Sequence, residues 1–304
     1  MIVDTMSRQE VMVAIRHDFE DYVSPYYLKL KHKYRSQIQA KAAREKKIVT
    51  LGWERFVSPN NLMFNILKRG DKEQDLPLFA AEFVWRNRLC FASIYQDDAI
   101  IVFQEHCLKR YAERVLHKML DIRELFYKYL VKKQPHAYNI VLPSPTHKYS
   151  IYSGFANALF LGDFDVPDEN GVNRTHNWFN TCISINESYA SQKNILSILQ
   201  SMQRTIGKLK FNPLEDNELI KRTNKLSKDD NEAIVTFMKN AYLMLVLHKS
   251  YDFPFSALYR DKMQEKMKLI NSYLDYQGVD INSLDPYDIE IGVAIPGDLD
   301  YRQS

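Results

Sequence analysis

Leu78-Phe-Ala-Ala-Glu-Phe-Val-Trp85-Arg-Asn-Arg-Leu-Cys-Phe-Ala-Ser-Ile-Tyr95 is the stretch on which the fold class turns. Two short runs rich in aromatic and aliphatic residues, Leu78–Trp85 and Leu89–Tyr95, are separated by a hairpin-length gap at Arg86-Asn87. That pattern predicts two antiparallel strands rather than a helix. The same reading extends in both directions, to Ile48–Phe56 and Leu62–Leu67 before the pair and Ala99–Phe103 after it. Turn signals separate these runs: Ser58-Pro59-Asn60-Asn61, Arg69-Gly70-Asp71 and Gln96-Asp97-Asp98. The expectation is an antiparallel β-meander.

Helical periodicity flanks the strands. Residues 8–23 carry Met12, Ile15 and Phe19 on one face. Ser24-Pro25 reads as an N-cap followed by proline at the first helical position, opening a second helix from Tyr26 to about Lys46 whose Tyr26, Leu30, Tyr34 and Ile38 recur every four residues on one side. After the strands, a helix is expected from Gln104 to about Lys133, ended by Pro135. Further strands are expected at Tyr138–Leu142, Lys148–Tyr152, Ala158–Asp163 and Asn177–Ile185, with the loop Asp165–Arg174 between the last two. From Ser188 the pattern is helical, interrupted by a polar, loop-like stretch at 207–226. Ser227 and Asp230 have capping-box spacing, and Gly278 suits the residue after a helix end. The class is α+β: an antiparallel sheet packed by helices, with N-terminal helices and a helical C-terminal region. The organisation expected is an α+β domain over residues 1–206 and a helical region with an acidic tail over 207–304.

Composition excludes several classes. With 304 residues, 45% hydrophobic and 26% charged, the chain can bury a sizeable core and is neither disordered nor collagenous. No phosphate-cradling G-x-x-x-x-G-K-[ST] and no G-x-G-x-x-G occurs, so no cofactor is expected. Cys90, Cys107 and Cys182 lie apart in apolar stretches, which predicts buried free thiols in a reducing, cytoplasmic compartment. The longest uncharged run, Tyr149 to Gly162, is shorter than the roughly 18 residues of a membrane span, so no membrane partner is expected.

The net charge of +3 conceals a strong asymmetry. Between Lys29 and Lys47 eight basic residues face one acid, Glu45, whereas the last thirty residues carry seven acids against Arg302. A basic body with an acidic tail suits RNA or another polyanion as partner. An ordinary solvated helix face and surface tail would show the same counts. Lys29, Lys31, Lys33 and Arg35 are the candidate nucleic-acid contacts. Aromatic residues such as Tyr95, Tyr149, Tyr152 and Phe155 are candidates for stacking on bases.

Phe103-Gln-Glu-His-Cys-Leu-Lys-Arg-Tyr-Ala-Glu-Arg-Val-Leu-His117 carries the most suggestive chemistry. On a helical wheel Leu108, Val115, Met119, Ile122 and Phe126 share one side, while His106, Arg110, Glu113 and His117 share the other, with Arg114 at the margin. Such a column suits phosphodiester chemistry, because imidazoles exchange protons near neutral pH and guanidinium forks match phosphate oxygens. It is also where polar residues belong on any surface helix. Two histidines supply too few ligands for zinc, so no metal is expected.

This helix face, His106-x-x-x-Arg110-x-x-x-Arg114, followed by the strand Asn177–Ser184 and by Tyr189-Ala-Ser191-Gln192-Lys193, resembles the barnase/colicin/RelE-like group of ribonucleases and toxins over about residues 100–200. The group's members are smaller and lack a large sheet before the helix. The resemblance implies metal-independent RNA cleavage, with His106 as base or acid, His117 or Thr181 assisting, and Arg110 and Arg114 holding the phosphate. The other readings are a non-catalytic nucleic-acid-binding module using residues 29–47 and a protein-interaction module.

Overall fold

The computed structural model describes residues 2–94, 99–127, 139–143, 149–155, 158–165, 176–187, 190–250 and 257–284. Contacts group them into two units. One contains residues 2–94, 99–109, 119–127 and 176–180; the other contains 110–118, 139–143, 149–155, 158–165, 181–187, 190–250 and 257–284. Together they make an α+β protein whose strands are mostly antiparallel.

The first unit begins with α1 (Arg8–Asp18), opened by a reciprocal cap. Ser7 Oγ accepts from the Glu10 amide at 3.2 Å, and Glu10 accepts from the Ser7 amide at 2.6 Å. These bonds satisfy two donors that a helix start leaves orphaned. The expected break at Ser24-Pro25 does not occur. Asp18, Phe19 and Ser24 all have right-handed helical backbone, and the chain runs through a π-turn (Phe19–Val23) directly into α2 (Ser24–Glu45). Pro25 has no N–H and its ring crowds the preceding turn, and widening that turn accommodates it without ending the helix. The sequence signature of a proline at a helix start is the same in both cases. Lys46, in the left-handed region at φ 50°, ends α2.

Five strands follow: β1 (Val49–Val57), β2 (Met63–Gly70), β3 (Leu78–Trp85), β4 (Arg88–Ile94) and β5 (Ile100–Gln104). Each pairs antiparallel with the next. The first half of β9 (His176–Ser184) then pairs parallel with β5, Ile100 opposite His176 and Phe103 opposite Phe179. The β3–β4 turn is a two-residue hairpin with Arg86 and Asn87 both at positive φ, the geometry that matches strand twist. The Arg86 amide is tied to Asp4 at 2.6 Å, and its guanidinium lies 4.3 Å from the Trp85 ring.

Both faces of the central strands are buried, which is why Leu78–Trp85 does not alternate cleanly between apolar and polar. Phe79, Ala81, Phe83 and Trp85 join Ile15, Val23, Tyr27, Ile38 and Trp178 in one cluster under α1 and α2. Phe19 and Tyr27 each meet Phe79 edge to face, at 4.9 and 5.3 Å. On the opposite face, Phe91 packs against Phe126 at 5.0 Å. There the buried Glu82 accepts from Arg123 Nε at 2.7 Å and from the Tyr127 hydroxyl at 2.6 Å. Burial and the Glu82 carboxylate push the Tyr127 hydroxyl well above the usual tyrosine range, so it stays a neutral donor.

The helix expected over Gln104–Lys133 is the clearest difference. Helix α3 covers only Glu105–Tyr111; a π-turn spans Ala112–Leu116, and His117 closes it in the left-handed region at φ 50°. After an irregular stretch, Asp121 caps the short α4 (Ile122–Leu125). Met119, expected on the apolar stripe, is fully exposed, so the wheel that placed it there does not apply beyond His117. Residues 128–133 lie outside the described residues.

In the second unit β6 (Asn139–Pro143), β7 (Tyr149–Phe155) and β8 (Ala158–Asp165) pair antiparallel in order. Helices α5 (Ala190–Leu209), α6 (Leu219–Thr223), α7 (Lys228–Ser250) and α8 (Ala257–Tyr276) build a core in which Leu159 and Leu161 meet Met202, Phe237, Met238 and Tyr273. The stretch 207–226 expected as loop contains α6. Ser227 caps α7 as its spacing suggests, its Oγ accepting from the Asp230 amide at 3.1 Å. Gly278 follows α8 at φ +70°. All three cysteines are buried thiols outside any disulfide, and burial pushes the Cys90 thiol up to about 12. No helix among the described residues is long and apolar enough to cross a membrane.

Candidate nucleic-acid interface

The cleft at the start of α2 is assembled by a buried carboxylate. Asp18, the last residue of α1, accepts from the Ser58 hydroxyl and from Asn60 Nδ2 at 2.6 Å, and Ser58 Oγ accepts in turn from the Leu62 amide at 3.1 Å. These bonds hold the β1–β2 turn against the π-turn. The result is an open cleft of about 460 Å³ in the first unit, whose lining includes Tyr22, Tyr26, Phe56, Pro59, Asp21 and Lys29. Tyr26 and Phe56 lie 4.7 Å apart, tilted by 34°. The Tyr26 hydroxyl donates to Glu54 Oε1 at 3.2 Å, and Glu54 Oε2 accepts from Lys68 at 3.1 Å. Burial, reinforced by Glu54, raises the Tyr26 hydroxyl above the usual range and keeps it protonated.

The four cations expected to contact nucleic acid divide into two pairs. Lys31 Nζ lies 3.0 Å from Asp75 Oδ2, and Arg35 Nη1 lies 3.1 Å from Asp75 Oδ1. Arg35 also donates to the Asp71 and Lys72 carbonyls at 3.0 and 3.1 Å. The Asp75 side chain is only 5% exposed, so this pair is committed to stapling the β2–β3 connection onto α2. That connection is tight: a Cβ on Gly70 would stand 2.6 Å from the Gln74 carbonyl oxygen. Lys29 and Lys33, by contrast, are exposed and make no hydrogen bond or ion pair with described residues. They sit one turn apart, with exposed His32 beside them.

Of the residues expected to carry catalysis, His106 and Arg110 lie on α3, Arg114 and His117 lie on the π-turn and at its end, and Thr181 lies in β9. His106 is exposed on α3 and belongs to the first unit; Arg110, Arg114, His117 and Thr181 belong to the second. Arg114 Nη1 is paired with Glu187 Oε2 at 3.0 Å, an oxygen that also accepts from the Ser184 amide and hydroxyl. His117 is exposed at the left-handed end of the π-turn, and Thr181 is half-buried in β9. Among the described residues no group of three or more His, Cys, Asp or Glu side chains could hold a metal ion.

Sequence reasoning missed Tyr22 and Phe56 as cleft residues and read Tyr26 only as part of an apolar stripe. The signal is weak, because Phe56 and Pro59 reach the cleft from the end of β1 and the turn after it, some thirty residues further along the chain. Of the aromatic residues expected to stack, Tyr149, Tyr152 and Phe155 lie in β7 and Tyr95 lies outside the described residues. Comparison with protein families, curated proteins and solved structures returns no match.

Proposed function

We propose that the protein binds single-stranded nucleic acid, without cleaving it, at the cleft opening α2. The observation that carries this reading is a lysine with no acidic partner among the described residues, beside three aromatic rings in one open cleft. Aromatic faces stack on bases regardless of sequence, and lysines beside them meet the backbone. Lys33, one turn further on, extends the cationic edge. A duplex, with its bases already stacked inside, offers nothing for Tyr22, Tyr26 and Phe56 to receive.

The ribonuclease implied by the resemblance needs Arg110 and Arg114 together on one phosphate, with imidazoles in reach. Arg114 is engaged by Glu187, and the helix ends at His117. Binding is therefore the preferred reading.

The test is a fluorescence-anisotropy titration with a short single-stranded RNA and with the same sequence as a duplex. The single strand should bind more tightly. Tyr26→Ala should weaken it by about fivefold to a hundredfold, the usual worth of one stacked base. Equal affinity for both forms, or no binding of the single strand at about 50 mM salt, where phosphate contacts are strong, overturns the proposal.

A further inference from the structure

Among the described residues lining the cleft, Asp21 is the one carboxylate. It stands on the π-turn, its side chain 53% exposed, with Oδ2 3.2 Å from His17 Nε2. Oδ1 makes no hydrogen bond with described residues. A carboxylate weakens a site for phosphate, so in a cleft that takes nucleic acid it must face something other than the backbone. Eight residues separate Asp21 from Lys29, about 12 Å along a helix axis. Tyr22 and Tyr26 lie between them in the chain, and Phe56 lines the same cleft. This order gives the bound nucleotide a direction: phosphate at Lys29, base on the rings, and the outer edge of the base at Asp21.

We infer that Asp21 makes the cleft selective for guanine, an inference that rests on the nucleic-acid-binding reading above. An ionised carboxylate is acceptor-only, with two oxygens side by side. It therefore matches a base edge that presents two adjacent donors. On the Watson–Crick edge only guanine does so, with N1–H next to the N2 amine. Adenine and cytosine each set one amine beside a ring-nitrogen acceptor, and uracil sets one N–H between two carbonyls. Those acceptors would face the second carboxylate oxygen and be repelled. Single-stranded bases, splayed out and stacked, expose this edge for such recognition.

The experiment uses the full chain and four oligonucleotides that differ only in a single central base, guanine, adenine, cytosine or uracil, within an oligouridine strand. The guanine strand should bind about tenfold or more tightly than the other three, since one good bidentate contact discriminates by roughly fivefold to a hundredfold. Asp21→Asn should weaken the guanine strand about tenfold and should not weaken the uracil strand, from which it removes a repulsion. Inosine, which keeps N1–H and lacks the 2-amine, should fall between guanine and adenine. Lys29→Ser should weaken all four equally. If the wild-type protein binds all four alike, the Asp21 assignment is wrong while the cleft remains a binding site. If Asp21→Asn keeps the guanine preference, selectivity resides elsewhere and the assignment again fails. If none of the strands binds, the nucleic-acid reading itself is overturned. Circular dichroism of Asp21→Asn confirms that a lost preference is not lost folding.

Discussion

Helix α2 and the α3-to-His117 segment look alike in sequence: each sets basic side chains four residues apart along a helix. In the folded chain they differ. Helix α2 is regular for 22 residues and carries two lysines, Lys29 in the lining of an aromatic cleft and Lys33 one turn on, that have no partner among the described residues. Helix α3 lasts seven residues, its continuation is a π-turn, and Arg114 there is paired with Glu187. The spacing of cations fixes which side of a helix they share. It says nothing about carboxylates that arrive from elsewhere, and those decide which cations are left for a ligand. Asp75 engages Lys31 and Arg35 as surely as Glu187 engages Arg114.

The largest effect should come from the carboxylate that divides α2. Asp75→Ala leaves Arg35 and Lys31 without their acidic partner over the β2–β3 connection. Stability should fall by about 2–3 kcal/mol in urea unfolding, the order expected when a buried charged hydrogen-bonding partner is removed. Arg35→Ala should cost a similar amount, and the double variant should cost less than the sum because both remove the same interaction. Additive losses would mean that the pair is not the staple described.

The helix caps come next. Ser7→Ala should lower stability by about 1 kcal/mol, because it opens the cap that starts α1 and leaves Glu10 with half its partners. Backbone hydrogen bonds hold the carboxyls of Glu10, at Ser7, and Asp71, at Gln74 and Glu73, below their usual range; Lys208 and Ser227 do the same for Asp230. A carboxyl whose folded value lies below its unfolded one stabilises the fold above the unfolded value. That contribution is lost as the carboxyl is protonated. Stability should therefore be level through neutral pH and decline below about pH 4, the ordinary carboxylate value. Ser7→Ala should show a smaller decline than the wild type, measured by thermal melts across the acid range.

His117 gives a smaller effect whose sign decides between two helices. At φ 50° a non-glycine residue is strained, so His117→Gly should stabilise the protein by roughly 0.5–1 kcal/mol or leave it unchanged. In the unbroken helix that the apolar periodicity suggests, the same change would destabilise by a similar amount. A clear loss of stability would restore the long helix and, with it, the His106–His117 column.

The strands were legible because the Ser58-Pro59-Asn60-Asn61, Arg69-Gly70-Asp71 and Arg86-Asn87 signals bracket short apolar runs. Observed strands lie close to the runs they bracket. The α2 stripe was legible too: Tyr34 and Ile38 are buried as their spacing requires. What escaped were irregularities that leave no residue-level mark. A π-turn ahead of Pro25 and a helix start at Pro25 read identically, and His117 ends a helix without the glycine that usually announces one. The cleft escaped for a different reason. It depends on Asp18 capturing Ser58 and Asn60, about forty residues on, and no local pattern encodes that capture.

The salt dependence of single-strand binding by α2 variants tests the central claim most directly. Each phosphate that a protein cation neutralises on a single strand contributes about 0.7 to the slope of log affinity against log salt. Lys29→Ser combined with Lys33→Ser removes two such cations and should flatten the slope by about 1.4 relative to the wild type. The same double variant should keep its stability within about 0.5 kcal/mol, as for other exposed positions. Lys31→Ser, whose cation is already held by Asp75, should leave the slope unchanged. A slope indifferent to Lys29 and Lys33, or one that falls as much for Lys31→Ser, would contradict the account.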